Sequence, residues 1–206
     1  MRLRESLFKR PLIKGVLLLT SLAALFCINY QPWRLHWGAT REEIGRGMPG
    51  DGIVEDPTFD ATRAITIDTI PEQIWPWIVQ IGYGRAGFYS HDWLDNAGIR
   101  SSKEIIPEYQ SIQAGDLIPL TKGSFIRVES FEPNRSLVLV YGSESDPIFT
   151  WVWGLYPVDQ EETRMVVRLR WHQESARQRF MTRYFEIIMM KKHMLGIRRR
   201  AEAAVR

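Results

Sequence analysis

Residues 148–156 and 164–171 alternate so regularly that they permit one kind of element and demand one kind of neighbour. In the first stretch Phe149, Trp151, Trp153 and Leu155 fall on one side. In the second Met165, Val167, Leu169 and Trp171 do, opposite Arg164, Arg168 and Arg170. A period of two is that of a β-strand, whose successive side chains point to opposite faces. A sheet with a tryptophan-rich face and an arginine face needs an apolar cover over the first. The carboxy-terminal segment supplies one. From Ala176 onward there is no proline, and Phe180, Met181, Tyr184, Ile187, Ile188 and Leu195 recur at helical spacing, with Thr182, Glu186 and His193 on the other side. That predicts a long closing helix whose apolar stripe lies on the sheet, its packed part ending near Gly196. Lys191, Lys192 and Arg198 to Arg200 would project past the core, where anionic lipid headgroups would attract them.

The rest of the sheet is legible upstream. Ala64 to Asp68, opening at Thr62, alternates as a half-buried strand. Leu117 to Leu120, Phe125 to Phe131 and Ser136 to Gly142 follow, separated by turn residues such as Lys122-Gly123 and Pro133-Asn134. Six strands result, in an antiparallel α+β arrangement. Between the first and second strands, Thr69, Pro71 and Glu72 form a helix start, with Ile74, Trp77, Ile78 and Ile81 as the buried face and Pro76 as a kink. Phe88 to Asn96 reads as a second short helix capped by Ser90.

At 206 residues the chain has room for one domain and a terminal segment. Leu12 to Tyr30 is apolar and just long enough to span a bilayer as a helix. Leu25, Phe26 and Cys27 lack the small-x-small pattern of a cleavage site, which favours an uncleaved anchor over a signal peptide. Arg2, Arg4, Lys9 and Arg10 precede the span, and Arg34, Arg41 and Arg46 follow it more sparsely. The amino terminus is therefore expected in the cytoplasm and the domain outside it, with Tyr30, Trp33 and Trp37 at the far interface. The expected organisation is a basic tail at 1–11, an anchor at 12–30, a connector at 31–61 and a folded domain at 62–206. Thr40 and Glu43 have capping-box spacing within the connector. With Cys27 as its single cysteine, the chain can form no internal disulfide.

Chemistry is harder to find. The four histidines, His36, His91, His172 and His193, are scattered, and no His or Cys cluster has metal-ligand spacing. Gly82-Tyr83-Gly84 lacks the third glycine and the parallel context of a phosphate loop. No metal or cofactor is expected. Arg198-Arg199-Arg200 lacks aromatic interleaving, which speaks against nucleic acid as a partner. His91 and Asp92 are adjacent and point about 100° apart on a helix; His91 with Asp95 is the spacing that can pair, most simply as a surface contact.

Trp75-Pro76-Trp77 and the block Gly87-Phe88-Tyr89-Ser90-His91-Asp92-Trp93 are flanked by Trp37-Gly38-Ala39-Thr40, Pro49-Gly50-Asp51 and Ile106-Pro107-Glu108. In these motifs, and in its order of elements, the chain resembles a membrane-associated bacterial branch of the START-like (SRPBCC) helix-grip superfamily, the polyketide cyclase and lipid-transport group. It departs from the pattern in two places. Position 91 is His where an aromatic residue is expected, and six strands stand where the fold normally has seven. The resemblance implies a curved sheet gripping the last helix around a cavity for an apolar small molecule or lipid chain. Tyr89, Trp93, Trp151, Trp153, Trp171, Tyr184 and Ile188 are the expected lining. Two functions compete: membrane-tethered binding or transport of such a ligand, and a cyclase or dehydratase in which Tyr89, His91 or Glu108 acts as acid or base at the pocket mouth. The enzyme reading requires at least one of those three side chains to face the cavity.

Overall fold

The computed structural model describes residues 14–15, 18–21, 30, 32–173 and 175–204. Its sheet has six strands: β1 (Phe59–Ile67), β2 (Leu117–Thr121), β3 (Ser124–Glu132), β4 (Ser136–Gly142), β5 (Pro147–Pro157) and β6 (Thr163–Trp171). They are antiparallel in the order β1-β6-β5-β4-β3-β2, a meander whose last strand pairs back onto the first. Register aligns the large residues, with Phe149 opposite Trp171, Trp151 opposite Leu169 and Trp153 opposite Val167. The inner face carries Ile65, Ile67, Leu137, Leu139, Trp153, Leu155, Met165 and Val167 in one buried core. Register shifts in the β2–β3, β3–β4 and β4–β5 pairings bend the sheet, because a bulge kinks the strand that carries it.

The outer face is covered as well. Residues of the expected connector lie along it: α1 (Arg41–Gly45) has the predicted Thr40–Glu43 capping box, and Met48 packs with Ala64, Val138, Val140, Val152 and Val166 in a second small core. The arginines of this face hold the cover down. Arg168 donates to Asp51 Oδ2 at 2.6 Å and to the carbonyls of Glu43, Ile44 and Arg46. Arg164 pairs with Glu43 at 2.6 Å. Period two identifies which side chains share a face; it does not reveal that a polar face can be covered through charge-assisted bonds.

The helix α2 (Pro71–Val79) buries Ile74, Trp77 and Ile78 as its spacing predicts, and it continues past Pro76. Thr69 does not cap it. Ile70 holds that position without a side-chain bond, while Thr69 is buried and its carbonyl accepts from Thr163 Oγ1 at 2.7 Å. The second short helix is smaller than expected, α3 (Asp92–Asp95). The left-handed φ of +57° at Tyr89 interrupts any helix across it, and Ser90 Oγ donates to the Met189 carbonyl at 3.0 Å instead of capping.

The closing helix comes in three parts: α4 (Ala176–Met181), a π-helical turn over Thr182–Glu186, and α5 (Ile187–Ala203). Its packed face matches the expected stripe only in part. Ile187 is buried as expected, but Met190, His193, Met194, Ile197, Ala201 and Thr182 are buried with it, whereas Phe180 is 57% and Ile188 55% exposed. Polar demand from the sheet explains the inversion. Arg63, fully buried on the inner face of β1, donates to both Glu186 oxygens at 2.7 and 2.6 Å, and this fixes Glu186 inward. Gly196 does not end the packed part. It lies against Tyr89 so closely that an added Cβ would meet the Tyr89 carbonyl oxygen inside contact distance and its Cβ at 2.6 Å, and α5 continues to Ala203.

No helix among the described residues is long and apolar enough to cross a membrane. The expected tail at 1–11 lies outside the described residues. The expected anchor at 12–30 is described only at 14–15, 18–21 and 30, all helical.

Candidate functional site

Under the π-helical turn and the first turns of α5 lies a cavity of about 350 Å³. Trp151 from β5 and Trp171 from the end of β6 form its sheet wall, joined by Leu120 and Thr121 from β2. In the sheet order β2 and β6 are separated by three strands, and the curvature of the sheet brings them to one space. Phe88, Ser90, Leu94 and Asp95 close one side. Met181, Phe185, Met189 and Met190 form the roof, with Thr182, Glu186 and His193 between them. Aromatic rings and flexible thioethers with a few set polar groups make a wall suited to an apolar guest.

A rigid bracket positions these walls. Tyr89 is buried, its hydroxyl donating to the Trp77 carbonyl at 3.1 Å and accepting from Gln80 Nε2 at 2.8 Å. Gln80, also buried, accepts from the Ile106 amide at 2.9 Å. Asn96 Oδ1 accepts from the Gly84 amide at 2.9 Å, and Asp92 Oδ1 accepts from Ser101 Oγ. The block Gly87 to Trp93 thus ties α2, its following loop and α5 together and presents Phe88 to the cavity.

His193 is the most constrained polar group at the wall. Its Nδ1 lies 2.6 Å from the Phe88 carbonyl and its Nε2 accepts from Trp153 Nε1 at 3.3 Å. A carbonyl only accepts and an indole N–H only donates, so the proton sits on Nδ1 and both ring nitrogens are engaged. Burial pushes its pKa down to about 4, with Arg200 adding to the effect against the Phe88 hydrogen bond. The ring is neutral at pH 7 and has no free nitrogen to offer a substrate. Asp95 differs. Burial, with the nearby Asp92 charge, raises its pKa against the opposing influence of the Ser90 hydroxyl.

Of the residues expected to line the cavity, Trp151 and Trp171 do. Trp153 lies on the same sheet face but is fully buried and used on His193. Trp93 is 72% exposed. Tyr184 lies on the outer side of the closing helix, and Ile188 lines a separate groove with Tyr30, Trp33 and Lys191. None of the three acid–base candidates lines the cavity. Tyr89 braces the bracket, and burial pushes its hydroxyl pKa up. His91 sits at the start of α3 with Nδ1 3.2 Å from Lys192 Nζ. Glu108 is exposed in the 3₁₀ turn Pro107–Tyr109. The lining residues that sequence reasoning missed, Met189, Met190 and His193 among them, follow the phase of the closing helix. Met190, His193, Met194, Ile197 and Ala201 keep helical spacing among themselves, a signal outweighed by the larger residues on the other side.

No protein-family description and no curated protein sequence matches the chain. Solved structures do match in shape. A conserved protein of unknown function from Enterococcus faecalis is similar at 8% identity over 73% of this chain and 75% of its own, with a TM-score of 0.50. This likeness is one of fold. The Zhui aromatase/cyclase from a Streptomyces species covers 71% of this chain and 95% of its own at 11% identity and a TM-score of 0.41. A polyketide cyclase-like protein from Corynebacterium glutamicum covers 71% and 82% at 17% identity and a TM-score of 0.34. At those scores the last two add no weight. The architecture itself, a bent antiparallel sheet closed by a long carboxy-terminal helix, is the helix-grip arrangement.

Proposed function

We propose that this chain is a START-like protein that binds or carries an apolar small molecule or lipid in the cavity beneath its last helix, at a membrane to which its amino-terminal segment tethers it. The cavity of about 350 Å³ between Trp151, Trp171 and the methionine-lined helix carries the reading. A closed core of this size would fill such a space with its own side chains, because protein interiors are packed to the density of organic crystals.

The surface beside the cavity supports the membrane part. Phe180, Met181, Tyr184, Phe185 and Ile188 are all exposed along one run of helix, and an apolar patch of this kind marks an interaction surface. Met181 and Phe185 belong both to the patch and to the cavity wall, so a guest would pass between them. The patch continues into the groove formed by Tyr30, Trp33, Ile187, Lys191 and Lys192, where Lys191 Nζ stands 4.9 Å from the Trp37 ring centre. Tyr30, the last residue of the proposed anchor, lines that groove with Trp33, which supports a tether at this side of the domain. The sidedness of the sequence reading, amino terminus in the cytoplasm and domain outside, is part of this proposal.

A cyclase or dehydratase acting in the same cavity is the weaker reading, since Tyr89, His91 and Glu108 stand away from it and His193 has both nitrogens bonded. Asp95 is the carboxyl such an enzyme would have to use. Native mass spectrometry of the full chain extracted in mild detergent is expected to find a copurifying apolar molecule. A spectrum of bare protein only, together with failure to take up added lipid, would remove the binding reading.

A further inference from the structure

The groove beside Tyr30 and Trp33 has a volume of about 480 Å³ and shares no described lining residue with the cavity. Its helical side is a single face of α5: Ile188, Lys191, Lys192 and Leu195 stand at i, i+3, i+4 and i+7. That face mixes apolar surface with charge. Trp33 is 46% exposed, and Ile188 is more open still. Lys191 Nζ stands over two indole rings, 5.6 Å from the Trp33 centre and 4.9 Å from that of Trp37. Lys192 Nζ donates to His91 Nδ1 at 3.2 Å. Neither a ring face nor an imidazole nitrogen cancels a positive charge, and among the described residues no carboxylate lines the groove.

Two positive charges beside open apolar surface fit an amphiphile with an anionic head. A small soluble anion would meet the lysines and leave Trp33 and Ile188 in water. An uncharged lipid would cover those two and leave both ammonium groups without a counter-charge. The groove continues the exposed patch, since Ile188 belongs to both, and Tyr30 ends the apolar run proposed to enter the bilayer. Aromatic rings and lysines at such an end stand at the depth of lipid phosphates. We propose that this groove holds one anionic phospholipid of the adjoining leaflet, its phosphate on Lys191 and Lys192 and an acyl chain along Trp33, Ile188 and Leu195. Its occupant is a membrane partner, separate from the guest carried in the cavity.

The inference rests on the membrane part of the reading above, and one titration separates the two. Phosphatidylglycerol and phosphatidylcholine with the same acyl chains are added to the full chain in uncharged detergent micelles, and native mass spectrometry counts the adducts. One phosphatidylglycerol is expected to stay bound, about thirtyfold more tightly than phosphatidylcholine, the scale of two lysine contacts with an anionic headgroup. In Lys191→Gln/Lys192→Gln that preference disappears while phosphatidylcholine binding and uptake of fluorene, an apolar probe for the cavity, hold within about twofold. Excess glycerol 3-phosphate leaves the adduct in place; displacement by it would make the site one for soluble phosphate and overturn the lipid assignment. Equal affinity of the native chain for both lipids, or a preference that survives in the lysine variant, overturns the inference and leaves the tether standing. A chain that stays soluble without detergent and binds neither lipid removes both. Because the headgroup preference is read on the native chain, the test stands even where the variant folds poorly.

Discussion

His193 is where the physics of a single residue is most exposed. Its folded pKa of about 4 lies below the ordinary value of 6.5, so the unfolded chain binds its proton more readily than the folded one. The contribution of the neutral ring to stability is complete above pH 6.5 and falls as pH drops from there toward 4. The loss between about pH 7 and about pH 5 should be about 2 kcal/mol. Urea denaturation at both pH values, in the native chain and in His193→Gln, measures it; a variant that keeps the full pH dependence would place the titration elsewhere. The same residue illustrates the limits of reading single positions. Trp151 and Trp171 are legible as cavity walls because alternation along a strand fixes the face of each side chain. Trp153 shares that alternation and still misses the cavity, since its N–H is spent on a histidine 40 positions away.

At the scale of elements, the closing helix turns on one ion pair. Helical periodicity finds the helix, but the choice of inward face follows the buried Arg63, whose side chain is 0% exposed against 14% for Glu186. Breaking a buried pair by removing one partner leaves the other charge uncompensated and costs about 3–5 kcal/mol. Glu186→Gln is therefore expected to be destabilised by that order in chemical denaturation, while Arg63→Met/Glu186→Leu recovers most of the loss. A double variant as unstable as the single one would show that the pair does not set the helix phase. The π-helical turn at 182–186 adjoins this pair and lies directly over the cavity. Such turns are common at functional sites, and this one leaves Phe180, Tyr184 and Ile188 facing outward.

For the molecule as a whole, the placement of cavity, patch and lysines on one side predicts how it meets a bilayer. Vesicles containing anionic lipid should sediment the protein through the exposed patch, and Phe180→Ser/Ile188→Ser should weaken that binding about tenfold or more, since fully burying one large apolar side chain is worth about 1.5–3 kcal/mol. Unchanged sedimentation would leave the patch without a membrane role. The sequence by itself determined the strand alternation, the six-stranded antiparallel plan, the α2 face and the existence of a terminal helix, because each is a local periodicity written in neighbouring residues. Only the tertiary structure decided that the outer arginine face is roofed by residues 38–53, that the closing helix turns Glu186 and His193 inward, and that two indole N–H groups are left without partners. Those outcomes depend on polar groups far apart in the chain meeting or failing to meet, and no local period encodes which buried donor will find its acceptor.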